Sequence, residues 1–341
     1  MGRKNKKYFK TLHQQAYDKL TSMQAFGESK KEAVANGTDR DKIFSFNTYK
    51  TYWKHVKGFI KYVEEAHPDC TTLKKARKFV KDWLEHEAGK KDVSAWTIQT
   101  KAKSVGKLYG ITPDDEDYYT PPPRKREDIK RSRGDRVRDT HFSKTNNDEL
   151  IKFCQGTGLR RSELEDLKGS DLITKQQIEE EIKRLESKPQ DKLTAKETKR
   201  LKALQDARFF NEQYYTHVRR GKGGKERFSP IVGKNAEQII ERIRSTPARE
   251  NVWQHVNTNA DIHGYRSDYA ITIYRAYARP IKDIPYDKVN KGTKKRYQSQ
   301  VYHCRKDEAG KKLDKAAMLV CSKSLGHNRI EVVANNYIRG L

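Results

Sequence analysis

The sequence predicts a mostly α-helical fold with one small β-hairpin, divided into two domains. Apolar residues recur at helical spacing along most of the chain, a glycine-rich turn between two β-prone runs marks the hairpin, and a block of prolines and basic residues near position 120 splits the chain. The length of 341 residues fits two domains of roughly 150 each. Lys and Arg number 73 against 46 Asp and Glu, a formal net charge of +27, with a pI near 9.7 and a mean hydropathy of −1.05. Such a balance calls for a polyanionic partner, nucleic acid first and an anionic membrane surface second. No apolar run approaches the roughly 20 residues that span a bilayer, and 18 Tyr, 11 Phe and 4 Trp supply material for two modest cores.

Residues 1–44 read as a basic arm with one amphipathic helix, carried by Leu12, Ala16, Leu20 and Met23. Residues 45–112 read as a helical domain of three helices. Tyr52, Val56, Phe59, Ile60 and Val63 share one face, Leu73, Ala76, Val80, Trp83 and Leu84 a second, and Ile98, Ala102, Val105 and Tyr109 a third. Asn47, Thr72 and Ser94 stand where N-caps belong. Residues 113–140 form the linker, in which Pro121-Pro122-Pro123 enforces an extended path and Arg124, Lys125, Arg126, Arg131 and Arg133 repel one another unless they lie on an anion.

The second domain, 141–341, opens with a helix around Leu150, Ile151 and Cys154, a turn at Gly156-Thr157-Gly158 and a helix around Leu164 and Leu167. The charged stretch 173–207 carries apolar residues at helical spacing on both sides of Pro189, which predicts an inserted helical hairpin. Tyr214 to Arg220 and Glu226 to Val232 are the two strands around Gly221-Lys222-Gly223-Gly224-Lys225. The remainder reads as helical, apart from a short strand near 300–304. Cys70, Cys154, Cys304 and Cys321 stand far apart with no CxxC pair, which predicts neither a zinc site nor a disulfide framework and fits a reducing cytosol. The basic start of the chain is followed by no apolar run, so no signal peptide is expected.

Four blocks carry chemistry: Thr157-Gly158-Leu159-Arg160-Arg161-Ser162-Glu163-Leu164, the turn bearing Lys222, His263-Gly264-Tyr265-Arg266, and Leu325-Gly326-His327 followed by Tyr337. In this order they resemble the tyrosine recombinase (phage integrase) family over residues 141–341, whereas 45–112 matches the family's core-binding domain only loosely. The resemblance implies a two-domain clamp around duplex DNA, a helical core-binding domain plus an α+β catalytic domain. It implies cutting and rejoining of DNA through a 3′-phosphotyrosyl intermediate, as in integrases and transposases of mobile elements. Tyr337 is then the nucleophile, Lys222 the general acid with Lys225 as the alternative, and His327 a hydrogen-bonding partner of the scissile phosphate. The physics of the reaction agrees. Charge builds on non-bridging oxygens, which the planar guanidinium groups of Arg160 and Arg266 grip bidentately without a metal. His263 and Arg266, at i and i+3, share a helix face. Glu163, three residues after Arg160, can orient it, while Arg161 reads as a surface or phosphate-backbone residue. His327 reads as the start of a helix, where backbone N–H groups favour an anion.

Three departures from the family stand out. From His327 to Tyr337 is ten positions, one more than usual, and the stretches 173–207 and 282–315 read as insertions. No cofactor and no metal are expected: His86-Glu87 is followed by Lys90 where a zinc motif needs His. The expected partners are duplex DNA, further protomers in a tetrameric synapse, and an accessory protein that bends DNA or directs excision. A cytoplasmic, nucleoid-associated protein is expected, with no membrane contact. Two other readings stay open, a type IB topoisomerase and a DNA-binding protein that has lost catalysis. Only four residues follow Tyr337, too few for a stable helix, so protomer contacts are expected from the insertions and the arm.

The basic linker gives the first testable expectation. Affinity for duplex DNA should fall with salt at a log–log slope of about −0.9 per phosphate neutralised. Neutralising Arg124, Lys125, Arg126, Arg131 and Arg133 together should flatten that slope and weaken all DNA sequences about equally. A salt titration of DNA binding with the five-fold variant checks it.

Overall fold

Hydroxyl side chains set where the helices of the N-terminal part begin. The computed structural model describes residues 10–124, 141–284, 300–305, 308–339 and 341, and the chain divides into two units, Met1–Lys130 and Arg131–Leu341. In the first unit Thr11 caps α1 (Leu12–Ser22), Ser29 caps α2 (Lys30–Ala35) and Ser45 caps α3 (Phe46–Ala66). Thr72 and Ser94 cap α4 (Leu73–Ala76) and α6 (Ala95–Tyr109), on either side of α5 (Val80–Ala88). Asn47, the expected cap of α3, lies inside that helix, because the Ser45 hydroxyl already accepts the Thr48 N–H at 3.2 Å.

The apolar faces of α1, α3, α5 and α6 form one core around Leu20, Val56, Phe59, Trp83, Leu84 and Leu108. The helix assigned to the basic arm therefore packs as part of this unit: Leu12, Ala16, Leu20 and Met23 are all buried in it. The single helix expected over 73–84 is interrupted by a 3-10 turn at Arg77–Phe79. Both sides of the break keep their apolar residues on the core, so periodicity does not register it. From this turn the Arg77 guanidinium reaches Asp117 at 2.7 Å and Asp115 at 3.5 Å, which fastens the start of the proline segment to the unit. Arg124 lies over the Trp96 ring at 5.4 Å. Lys125, Arg126, Arg131 and Arg133 lie outside the described residues.

The second unit is mostly helical with small antiparallel sheets, as its sequence predicts. It begins with α7 (Asp148–Thr157) and α8 (Arg161–Glu165). β1 (Leu172–Thr174) leads into the hairpin α9 (Lys175–Glu186) and α10 (Ala195–Ala207), then β2 (Tyr214–Val218) and β3 (Arg227–Pro230). The strands form an antiparallel sheet in the order β1-β2-β3, with Ile173 opposite Tyr215 and His217 opposite Phe228. There follow α11 (Ala236–Ser245), α12 (Ile262–Tyr277), the antiparallel pair β4 (Val301–His303) and β5 (Lys312–Asp314), α13 (Lys315–Ser324) and α14 (Ile330–Asn336). β1 and β5 have three residues each, too short for alternation to reveal them. The strand expected near 300–304 is β4, and much of the rest of 282–315 lies outside the described residues.

The stretch 173–207 packs into the core of the second unit. Ile178, Ile182 and Leu185 of α9 and Ala203, Leu204 and Ala207 of α10 share a core with Phe228, Tyr269, Met318, Val333 and Ile338. Its charges are paired as well: Arg200 holds Glu181 at 2.8 Å and also binds Glu226, beside β3. Gly158 ends α7 at φ 61, a left-handed conformation that costs an L side chain about 1–2 kcal/mol. A Cβ there would also meet the buried Tyr269 ring at 2.2 Å. The variant Gly158→Ala should lose about 2–4 kcal/mol of stability, read as a lowered urea midpoint at unchanged m-value.

Candidate active site

The ends of three helices converge in the second unit. α7 ends at the Gly158 carbonyl, α8 begins beside Arg160 with Glu163 in its first turn, and α13 ends in the carbonyls of Ser324 and Leu325. Gly326, at φ 73, closes α13, and its N–H donates to Lys323 O while that of His327 donates to Ser322 O at 2.7 Å. This is a Schellman-type close. His327 therefore follows the C-terminus of α13, and α14 begins only at Ile330; the helix start expected at His327 is corrected accordingly. Carbonyls, not N–H groups, gather here, and they attract cations.

Those cations are arginines. Buried Glu163 accepts the Arg160 main-chain N–H at 2.8 Å and Arg160 Nη1 at 2.6 Å. It also receives both Nη atoms of Arg227, at 2.8 and 2.7 Å. Burial alone would raise the Glu163 carboxyl. The hydrogen bonds and charge of Arg227, with those of Arg160, outweigh it and hold the group well below the usual carboxylate range. Arg227 Nε donates to Ser324 O at 3.1 Å, and Arg160 Nη2 to Leu325 O at 3.3 Å. Arg227 is a residue the sequence reading did not find. It opens a strand whose four residues are all buried, so alternation gave no hint of it.

Arg266, in the second turn of α12, is 1% exposed. Its Nη atoms donate to Gly158 O and Leu325 O, and its Nε lies 3.5 Å from the Tyr337 hydroxyl. Among the described residues no carboxylate pairs with it. Burial, then the charges of Arg227 and Arg160, lower its pKa to about 10, so it stays a cation at neutral pH. An unpaired buried cation is costly, which makes this an attractive seat for an anion.

Tyr337 follows the last turn of α14 and is 7% exposed, held by Val333, Ala334 and Ile338 around it in the core. Its hydroxyl lies 3.3 Å from His327 Nε2. The His263 and His327 rings sit 5.2 and 5.5 Å from its ring, and the Arg266 guanidinium 5.6 Å from it. Between His327 and Tyr337, Asn328 and the extended Arg329 (φ −130, ψ 126) precede α14. His263 is exposed at the start of α12 and lines, with Arg160, Arg161 and Arg266, a cleft of about 420 Å³.

The two lysines part company. Lys222 is exposed on the β2–β3 turn, whereas Lys225 is partly buried and donates to Asn328 Oδ1 at 2.8 Å, next to His327. Burial lowers the Lys225 pKa, and neighbouring Lys323, Arg227 and Lys202 act the same way against Asp206. Arg161, part-exposed, also lines the cleft. Its guanidinium is taken up by main-chain carbonyls of residues 256–260. Arg160, Glu163, His263, Arg266, His327 and Tyr337 are thus brought together, with Lys225 at the edge and Lys222 outside. In chemical terms the site offers a phenol beside an imidazole and a cationic pocket for an anion. No protein-family model and no curated protein sequence matches the chain.

Burial, then the charges of Arg266, Arg160, Arg227 and Lys225, lower the His327 pKa to about 4. The imidazole is neutral at pH 7 and can exchange a proton with Tyr337. An unfolded histidine, with a pKa near 6.5, takes up its proton first on acidification. Stability tied to His327 is therefore complete above about pH 6.5 and drains away as pH falls toward 4. Denaturant midpoints of the wild type should drop across this window, and those of His327→Gln should drop less.

Proposed function

We propose that this chain is a tyrosine recombinase, an integrase or transposase of a mobile element that cuts and rejoins duplex DNA. The observation that carries the reading is Arg266: a buried guanidinium with no carboxylate partner among the described residues, 3.5 Å from the hydroxyl of Tyr337. A phosphodiester would supply the missing anion and present its phosphorus to that hydroxyl. The ordered blocks of the sequence, ending in Leu325-Gly326-His327 and Tyr337, support the same class.

On this reading Arg160 and Arg266 grip the two non-bridging oxygens and stabilise the charge that grows on them. Tyr337 Oη attacks phosphorus and its proton passes to the neutral imidazole of His327, 3.3 Å away. The bond from phosphorus to the 5′-oxygen breaks, and a lysine of the β2–β3 turn, Lys222 or Lys225, protonates the departing oxygen. The product is a 3′-phosphotyrosyl link and a free 5′-hydroxyl. A 5′-hydroxyl of another strand then attacks the link and releases Tyr337, which recovers its proton. One ester replaces another at each step, so no energy source is consumed. His263, exposed at the mouth of the cleft, hydrogen-bonds the same phosphate. The two units act as a clamp on DNA, with the linker and Lys225 on its backbone.

The partners in this proposal are duplex DNA, protomers assembled as a tetrameric synapse, and an accessory DNA-bending or excision protein. The proposed location is cytoplasmic, at the nucleoid; among the described residues no helix is long and apolar enough to cross a membrane. The test is Tyr337→Phe, which removes one oxygen. Binding should stay within about five-fold, because one buried hydroxyl contributes on the order of 1 kcal/mol or less. Covalent adducts that survive SDS on a nicked suicide duplex should vanish. Adducts still formed by the variant would mean another nucleophile.

A further inference from the structure

The first residue of α8, Arg161, binds a different segment from its neighbour Arg160. Its Nη1 donates to Val256 O at 3.1 Å and Asn257 O at 2.9 Å. Its Nη2 donates to Thr258 O at 3.2 Å and Ala260 O at 3.0 Å. Four of the five guanidinium N–H bonds are thereby spent on one short segment. We infer that Arg161 is a positioning residue, whose guanidinium gathers the carbonyls of 256–260 and so fixes the His263–Arg266 turn relative to Arg160; this rests on the phosphotyrosyl reading above.

Four carbonyl oxygens directed at one point repel each other, and only a cation with divergent donors holds them there. Val256 and Ala260 are each only 4% exposed. Between them the Ala260 N–H donates to Asn257 O at 3.1 Å and the Asn259 N–H to Asn257 Oδ1 at 2.9 Å, and Arg161 adds the four bonds that tie this turn to α8. The segment leads straight into Asp261, whose carboxylate accepts the Gly264 N–H at 3.0 Å and caps α12. Two and five residues beyond Asp261 stand His263 and Arg266. On the other side, Arg160 is tied to Glu163 and Leu325 O. The adjacent arginines thus set the separation of the two walls of the cleft, one by reaching into it and the other by holding its rim. Lysine is a poor substitute, with three donors on a single nitrogen.

The experiment measures single-turnover adduct formation on a suicide duplex at saturating DNA, for the wild type, Arg161→Ala and Arg161→Lys. Binding should stay within about three-fold, while the adduct rate should fall about 10- to 100-fold in Arg161→Ala, the scale of a misplaced catalytic group. Arg161→Lys should recover little of it. Guanidinium chloride at low millimolar concentration should restore at least about five-fold in Arg161→Ala by filling the vacated carbonyl cage, and ammonium chloride at equal ionic strength should not. A merely structural loss would not respond to guanidinium. If Arg161→Ala fails to fold, Arg161→Lys decides: a lowered rate with binding retained supports the inference. A wild-type rate in either folded variant, or lost binding with an unchanged rate at saturation, overturns it. A wild type that forms no adduct at all overturns the phosphotyrosyl reading, and this inference with it.

Discussion

Glu163 is the carboxylate around which the second unit organises its site. It accepts a two-pronged contact from Arg227 on β3 and a third hydrogen bond from the Arg160 side chain. Those bonds tie α8 to β3. The same two arginines carry the connection on to the end of α13 through Ser324 O and Leu325 O. One acidic group thus joins three elements that are far apart in sequence. Breaking a buried pair by removing one partner costs on the order of 3–5 kcal/mol, because the other charge stays behind. Here the loss would also leave the charges of Arg160, Arg227 and Arg266 together with no bonded carboxylate among the described residues.

The second constraint is that helix ends, rather than helix faces, build the pocket. Carbonyls at the close of α7 and α13 receive the guanidinium groups, in keeping with the negative end of the helix dipole. Both ends are closed by glycine in the left-handed region, Gly158 at φ 61 and Gly326 at φ 73. A Cβ on Gly326 would come to 2.9 Å from Arg227 Cδ. Glycine here serves close approach as well as the turn.

Much of this architecture was legible because amphipathic helices announce themselves. Leu12, Ala16 and Leu20, and Ile178, Ile182 and Leu185, fall at helical spacing and lie buried as that spacing requires. What the sequence could not say is which core each helix joins: the helix read as part of a basic arm packs in the first unit's core, and α9–α10 in that of the second. Local pattern also fails where tertiary partners decide. Arg227 is buried because Glu163, 64 positions earlier, needs it. Arg161 is a neighbour of Arg160 in sequence, yet its partners are carbonyls about 95 to 99 positions later. The residues of the four chemical blocks were visible from their type and order. Their division of labour, such as Lys225 near His327 and Lys222 outside, depends on how the turn folds.

The seclusion of Arg266 has a consequence for how this protein tolerates change. A buried charge held by two carbonyls is a poor way to hold a fold together, and an apolar side chain of similar volume often does as well or better at such a position. On the proposed reading, stability and activity therefore pull in opposite directions at this position: a screen that rewards only heat resistance would tend to discard the arginine and, with it, the chemistry. The weakest point of the empty protein would then be the place where its substrate completes it.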